Sequence, residues 1–90
     1  MVDTNNSATT RISVRYFAAA ADAAGRGLET LDMPTGADLG QVKSALLAKY
    51  GTSMERVLSV AAFLVGSELT RDLTAPVGAR VDVLPPFAGG

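Results

Sequence analysis

The chain has 90 residues, 48% of them hydrophobic, with eight basic against nine acidic residues for a net charge of −1. That is one small domain with enough apolar material for a single core, and it lacks the clustered positive charge of a nucleic-acid binder. There is no cysteine and no histidine, which excludes disulfides, thiolate metal sites, cysteine nucleophiles and the commonest general base.

The nine carboxylates, from Asp3 to Asp82, are scattered along the chain. They read as solvated surface charge, and no metal site is expected. Met1 to Thr10 is polar, without the basic start and apolar middle of a secretory signal. It is expected to be a disordered leader, followed by a folded domain over 11–84 and a tail over 85–90. The longest uncharged stretch, 57–67, is far short of the ~20 apolar residues of a membrane span. A soluble, cytoplasmic protein is expected.

Arg11 to Phe17 alternates, with Ile12, Val14 and Tyr16 on one side and Arg11, Ser13 and Arg15 on the other, which is the period of a half-buried strand. Alanine-rich Ala18 to Ala24, followed by Gly25, predicts a short helical connection. Thr30 to Met33 predicts a second strand, with Leu31 and Met33 facing one way and Pro34-Thr35-Gly36 closing it. Asp38 with Gln41 three residues later predicts an N-cap and capping box, and Gly51 predicts the end of that helix. Leu39, Val42, Leu46 and Tyr50 recur between them at helical spacing, so this face packs on the sheet.

Ser53 to Ser59 fits one more short helix. Val60 to Val65 reads as a strand, and Gly66-Ser67 fits a tight turn into a short strand over Glu68 to Thr70. Arg80 to Leu84 predicts the last strand, which Pro85 and Pro86 end because neither can donate to a ladder. The order suits an α+β domain: a mixed sheet wrapped around one main helix. The strand holding Phe63 is apolar on both faces, and Leu84 falls on the outer face of its own strand. Phe63 and Leu84 are therefore candidates for a partner-docking patch.

The chain ends Pro85-Pro86-Phe87-Ala88-Gly89-Gly90. With 9 Gly among 90 residues, two given positions are both glycine about 1% of the time. Consecutive prolines keep such a tail extended, and glycines fit a narrow channel and adopt backbone angles closed to other residues.

This ending, behind the predicted element order, resembles the small, sulfur-carrying subunit of molybdopterin synthase, in the MoaD/ThiS β-grasp family. Val14-Arg15-Tyr16-Phe17-Ala18 is similar to that family's first strand. Met33-Pro34-Thr35-Gly36-Ala37-Asp38-Leu39 is similar to its entry into the main helix, and Val77 to Pro86 to its final strand. The resemblance covers about residues 11–90. The chain departs from the family pattern at Ala21-Asp22, Val65 and Ala79, positions of the kind that select partners.

The resemblance implies a ubiquitin-like β-grasp and a carrier with no bound cofactor and no catalysis of its own. An activating enzyme of the ubiquitin-activating type would use ATP to adenylate the Gly90 carboxylate. A persulfide sulfurtransferase would then replace AMP with sulfur, leaving a thiocarboxylate. That sulfur would pass to the pterin precursor within a heterotetramer formed with a large catalytic subunit. Gly90 would carry the reacting group, while Pro85, Pro86, Phe87, Ala88 and Gly89 would thread into partners. The alternatives are a carrier for thiamine or cysteine synthesis, a ubiquitin-like protein modifier, and an inert interaction module with a frayed end.

Overall fold

The structure, a computed structural model, describes residues 9–86. The elements run β1 (Thr9–Tyr16), α1 (Ala19–Ala24), β2 (Leu28–Pro34), α2 (Leu39–Tyr50), α3 (Thr52–Leu58), β3 (Ala62–Val65), β4 (Glu68–Thr70) and β5 (Arg80–Leu84). They build one mixed sheet in the order β2-β1-β5-β3-β4. β1 and β5 are parallel at its centre, and the other neighbours are antiparallel. No helix among the described residues is long and apolar enough to cross a membrane.

Alternation along each strand sends one set of side chains inward. Ile12, Val14, Val81 and Val83 are fully buried, and Tyr16 and Phe63 nearly so. They share a single core with Leu39, Val42 and Leu46 of α2. The capping box is present: Asp38 accepts from the Gln41 backbone N–H at 2.9 Å, and the Gln41 side chain accepts from the Asp38 N–H at 3.0 Å. Gly51 then breaks the helix at φ 72°, ψ −145°, a conformation open only to glycine, and its N–H still reaches the Leu47 carbonyl.

Four expectations are corrected. Thr9 and Thr10, assigned to the leader, belong to β1 and pair with Pro34 and Met33. β-branched threonine suits such an exposed strand end. Residues 1–8 of the expected leader lie outside the described residues. Val60 and Ala61 precede β3 rather than starting it: Val60 N–H closes a turn onto the Val57 carbonyl. β2 is longer than the expected Thr30 to Met33, running Leu28–Pro34. Beside the main helix, Ala20 of α1 and Met54 and Leu58 of α3 join the same core. Lastly, Glu29 and Asp82 are not solvated surface charges but are buried, at 7% and 3% exposure.

The turn between β1 and α1 holds an anomaly. Ala18 sits at φ 52°, ψ −127°, a region where an L-residue's Cβ crowds its own backbone. The Phe17 N–H bonds the Val83 carbonyl and the Ala20 N–H bonds the Phe17 carbonyl, so the turn is fixed on both sides of the strained residue.

Candidate functional site

β5 is held between β1 and β3, so the chain leaves the sheet at its centre, through Leu84 into Pro85 and Pro86. Beside that exit lies the face of the sheet turned away from the helices. Its composition follows from register. Leu28 pairs with Arg15, Arg15 with Asp82, Asp82 with Leu64, and Leu64 with Leu69. One row therefore crosses all five strands, with an ion pair at its middle and leucines at both ends. Leu84 and Ala62, paired with each other, fall on the same face one step nearer the exit.

The ion pair is bidentate. Arg15 Nε donates to Asp82 Oδ1 at 2.9 Å, and one terminal nitrogen donates to Oδ2 at 2.8 Å. The Arg15 guanidinium also lies 5.4 Å from the centroid of the Phe17 ring, a cation–π arrangement. Hydrogen bonding to Arg15 holds the Asp82 carboxyl below its usual range, and the same contact raises the Arg15 pKa. Leu69 and Leu28 stand 63% and 58% exposed, and Phe17 39%. Exposed apolar side chains grouped around a paired charge make this part of the face a candidate docking surface.

A second polar cluster ties α2 to β1 and β2. Glu29 Oε1 accepts from the Tyr16 hydroxyl at 2.7 Å and from the Tyr50 hydroxyl, while Lys49 Nζ donates to Oε2 at 2.5 Å. The two tyrosine rings meet edge to face with centroids 6.3 Å apart. Burial pushes the Glu29 pKa up, but hydrogen bonds from Lys49, Tyr50 and Tyr16 outweigh it and leave the pKa lowered. Burial and the Glu29 hydrogen bond both push the Tyr16 pKa well up. This carboxylate is saturated with donors, so its role is to hold the end of α2 on the sheet.

Of the residues singled out from sequence, Leu84 is half-buried on the outer face, Pro85 is half-buried and Pro86 is exposed. Phe63 is a core residue at 2% exposure and offers nothing to a partner. The outer side of β3 is Ala62 and Leu64 instead. Phe87, Ala88, Gly89 and Gly90 lie outside the described residues. Sequence reasoning missed Arg15 and Asp82. Alternation put Arg15 on the polar side of its strand, but nothing local to either residue announces a partner 67 residues away.

No family model matches the chain, and no curated protein matches it in sequence. Solved structures do match. SAMP1 from Haloferax volcanii superimposes with a TM-score of 0.76 at 22% identity, covering 90% of this chain and 100% of that one. A Pyrococcus furiosus protein assigned as molybdopterin converting factor, subunit 1, gives 0.73 at 20% identity, covering 87% and 99%. The complex of subunits 1 and 2 of molybdopterin-converting factor from Helicobacter pylori gives 0.58 at 24% identity, covering 90% and 100%. The fold of this chain is thus the ubiquitin-like β-grasp of the molybdopterin-converting-factor small subunits and small archaeal modifiers it resembles.

Proposed function

We propose that this chain is a cytoplasmic sulfur carrier, the small subunit of a molybdopterin synthase. The observation that carries this reading is the placement of the exit. The central strand delivers Pro85 and Pro86 beside the outer-face leucines that flank the Arg15–Asp82 pair, and the sequence continues from there as Phe-Ala-Gly-Gly. In this scheme an adenylating enzyme of the ubiquitin-activating type converts the Gly90 carboxylate to an acyl-adenylate at the expense of ATP. A persulfide sulfurtransferase then supplies the sulfur of a thiocarboxylate. The outer face docks on the large subunit while the tail reaches that subunit's active site, where the sulfur passes to the pterin precursor.

Each tail residue has a physical task in this scheme. Pro85 and Pro86 limit the entropy lost on threading, Phe87 and Ala88 contact the channel wall, and Gly89 and Gly90 pass where a Cβ would clash. Lacking histidine and cysteine, the chain borrows its acid–base chemistry from its partners. The test is reconstitution: thiocarboxylated carrier, the large subunit and the pterin precursor should form the dithiolene. Failure with a large subunit that works with its own carrier overturns the assignment of recipient.

A second reading is favoured by the match to SAMP1: a ubiquitin-like modifier that joins Gly90 to lysines. The same activation serves both readings. Higher-mass conjugates that survive reducing denaturation and carry this chain would support the modifier.

A further inference from the structure

The sheet ends in β2 on one side and β4 on the other. A sheet edge offers unpaired backbone donors and acceptors to any strand it meets, and proteins blunt such edges with shortness, proline, lysine or a bulge. β4 is blunted by its length of three residues. β2 runs for seven residues in unbroken register with β1, and it carries no lysine and no proline before its last residue, Pro34.

The register decides which β2 groups face outward. In an antiparallel pair, residues that exchange hydrogen bonds alternate with residues that do not. The Tyr16 N–H donates to the Gly27 carbonyl at 2.9 Å, so the ladder bonds continue through Val14–Glu29, Ile12–Leu31 and Thr10–Met33. The backbone N–H and C=O groups of Leu28, Thr30 and Asp32 therefore point away from β1. These groups have no hydrogen-bond partner among the described residues. The three side chains are exposed, and the Asp32 carboxylate is paired with Arg11 at 3.5 Å.

We propose that β2 pairs with β2 of a second copy of this chain, antiparallel about a twofold axis at Thr30. The edge complements itself in that register. Thr30 falls opposite Thr30 of the second copy, and Leu28 opposite its Asp32, so each outward residue exchanges both hydrogen bonds with a counterpart. Facing threonines are a favourable cross-strand pair, and the acidic group lies across from leucine rather than from a like charge. A shift toward Pro34 would bring a residue without an N–H into the ladder. The pairing closes on itself and leaves the short β4 as the edge of the shared sheet. One strand pair covers less area than a stable dimer needs, so association is weak and depends on concentration. The pairing is independent of the chemistry of Gly90.

The chain has no cysteine, so a single introduced thiol reports proximity cleanly. Facing residues of a hydrogen-bonded pair have Cα atoms about 5.5 Å apart, within disulfide reach. Thr30→Cys is equilibrated in a glutathione redox buffer beside Ser67→Cys, a control in the exposed β3–β4 turn. Amide hydrogen exchange is followed on the unaltered chain at rising concentration. The expected result is a linked dimer from Thr30→Cys and none above background from Ser67→Cys. Exchange should slow with concentration at Leu28, Thr30 and Asp32. That slowing should be lost at Leu28 and Asp32 in Thr30→Lys, which sets like charges face to face, with the rest of the fold unchanged. Equal linkage at both cysteines, or exchange that stays fast at every concentration, overturns the proposal. Slow exchange that does not depend on concentration means that the chain covers its own edge, and overturns it as well.

Discussion

Arg15 and Asp82 meet across the parallel β1–β5 pair through two hydrogen bonds, 2.9 and 2.8 Å long, in the middle of an otherwise apolar row. Asp82 is buried while the Arg15 side chain is half-exposed, so removing the arginine leaves a buried carboxylate without compensation, whereas replacing both with apolar residues removes that cost. Arg15→Met is therefore expected to destabilise the fold by stranding Asp82. The double variant Arg15→Met/Asp82→Leu should recover most of that loss. Urea unfolding of both singles and the double measures the coupling, and strictly additive effects would show that the pair does not act as a unit.

Stability should depend on pH at both ends. Glu29 and Asp82 have folded pKa values below their ordinary ones. The unfolded chain therefore binds more protons, and their contribution, complete above about pH 4–5, is lost as pH falls through and below that range. Tyr16 is shifted upward, so its contribution is complete below about pH 10 and is lost as pH rises above that value. Melting temperature measured from pH 2 to 11 should fall on both sides. Glu29→Gln should flatten the acid limb, and a limb unchanged by it would contradict the account. Glu29→Ala, which leaves the buried Tyr16 hydroxyl without its acceptor, should cost about 1–3 kcal/mol at neutral pH.

Ala18 carries a backbone conformation that glycine adopts freely. Such residues cost about 1–3 kcal/mol each, and glycine returns part of any gain through the entropy of its unfolded state. Ala18→Gly is expected to stabilise the protein by about 1 kcal/mol. Chemical denaturation checks it, and a destabilised variant would mean that the turn is relaxed as it stands.

Leu69 is 63% exposed at the end of the outer row. Leu69→Asp should leave stability within about 0.5 kcal/mol, as exposed positions generally do. Binding to the large subunit should weaken by about tenfold, the size of a moderate interface contact. Calorimetric unfolding and a titration of the large subunit separate the two effects. Unchanged affinity would remove this face from the interface.

The elements were legible in the sequence wherever a local rule governs them. The Asp38–Gln41 cap, the Gly51 stop, the Gly66-Ser67 turn and the alternation of Ile12, Val14 and Tyr16 are all short-range physics. What the sequence hid is tertiary. Glu29 is polar in a strand whose apolar partners are Leu31 and Met33, and only the arrival of Tyr16, Tyr50 and Lys49 makes its burial tolerable. Phe63 looked available because β3 is apolar on both faces, and the choice of inner face depends on its register against Val83. The outer row appears only when all five strands are in order.

The central claim is that Gly90 carries sulfur. The most direct measurement incubates the untagged chain with its adenylating enzyme, ATP and a sulfur donor, traps the product with an alkylating reagent and locates the adduct by fragment mass spectrometry. Fragmentation is needed because replacing oxygen by sulfur nearly matches the mass of one methionine oxidation, and Met1, Met33 and Met54 are all oxidisable. The account predicts an adduct on Gly90, abolished by residues added beyond it or by Gly89→Leu, with melting temperature unchanged. An absent adduct, with an enzyme proven on another carrier, would contradict it.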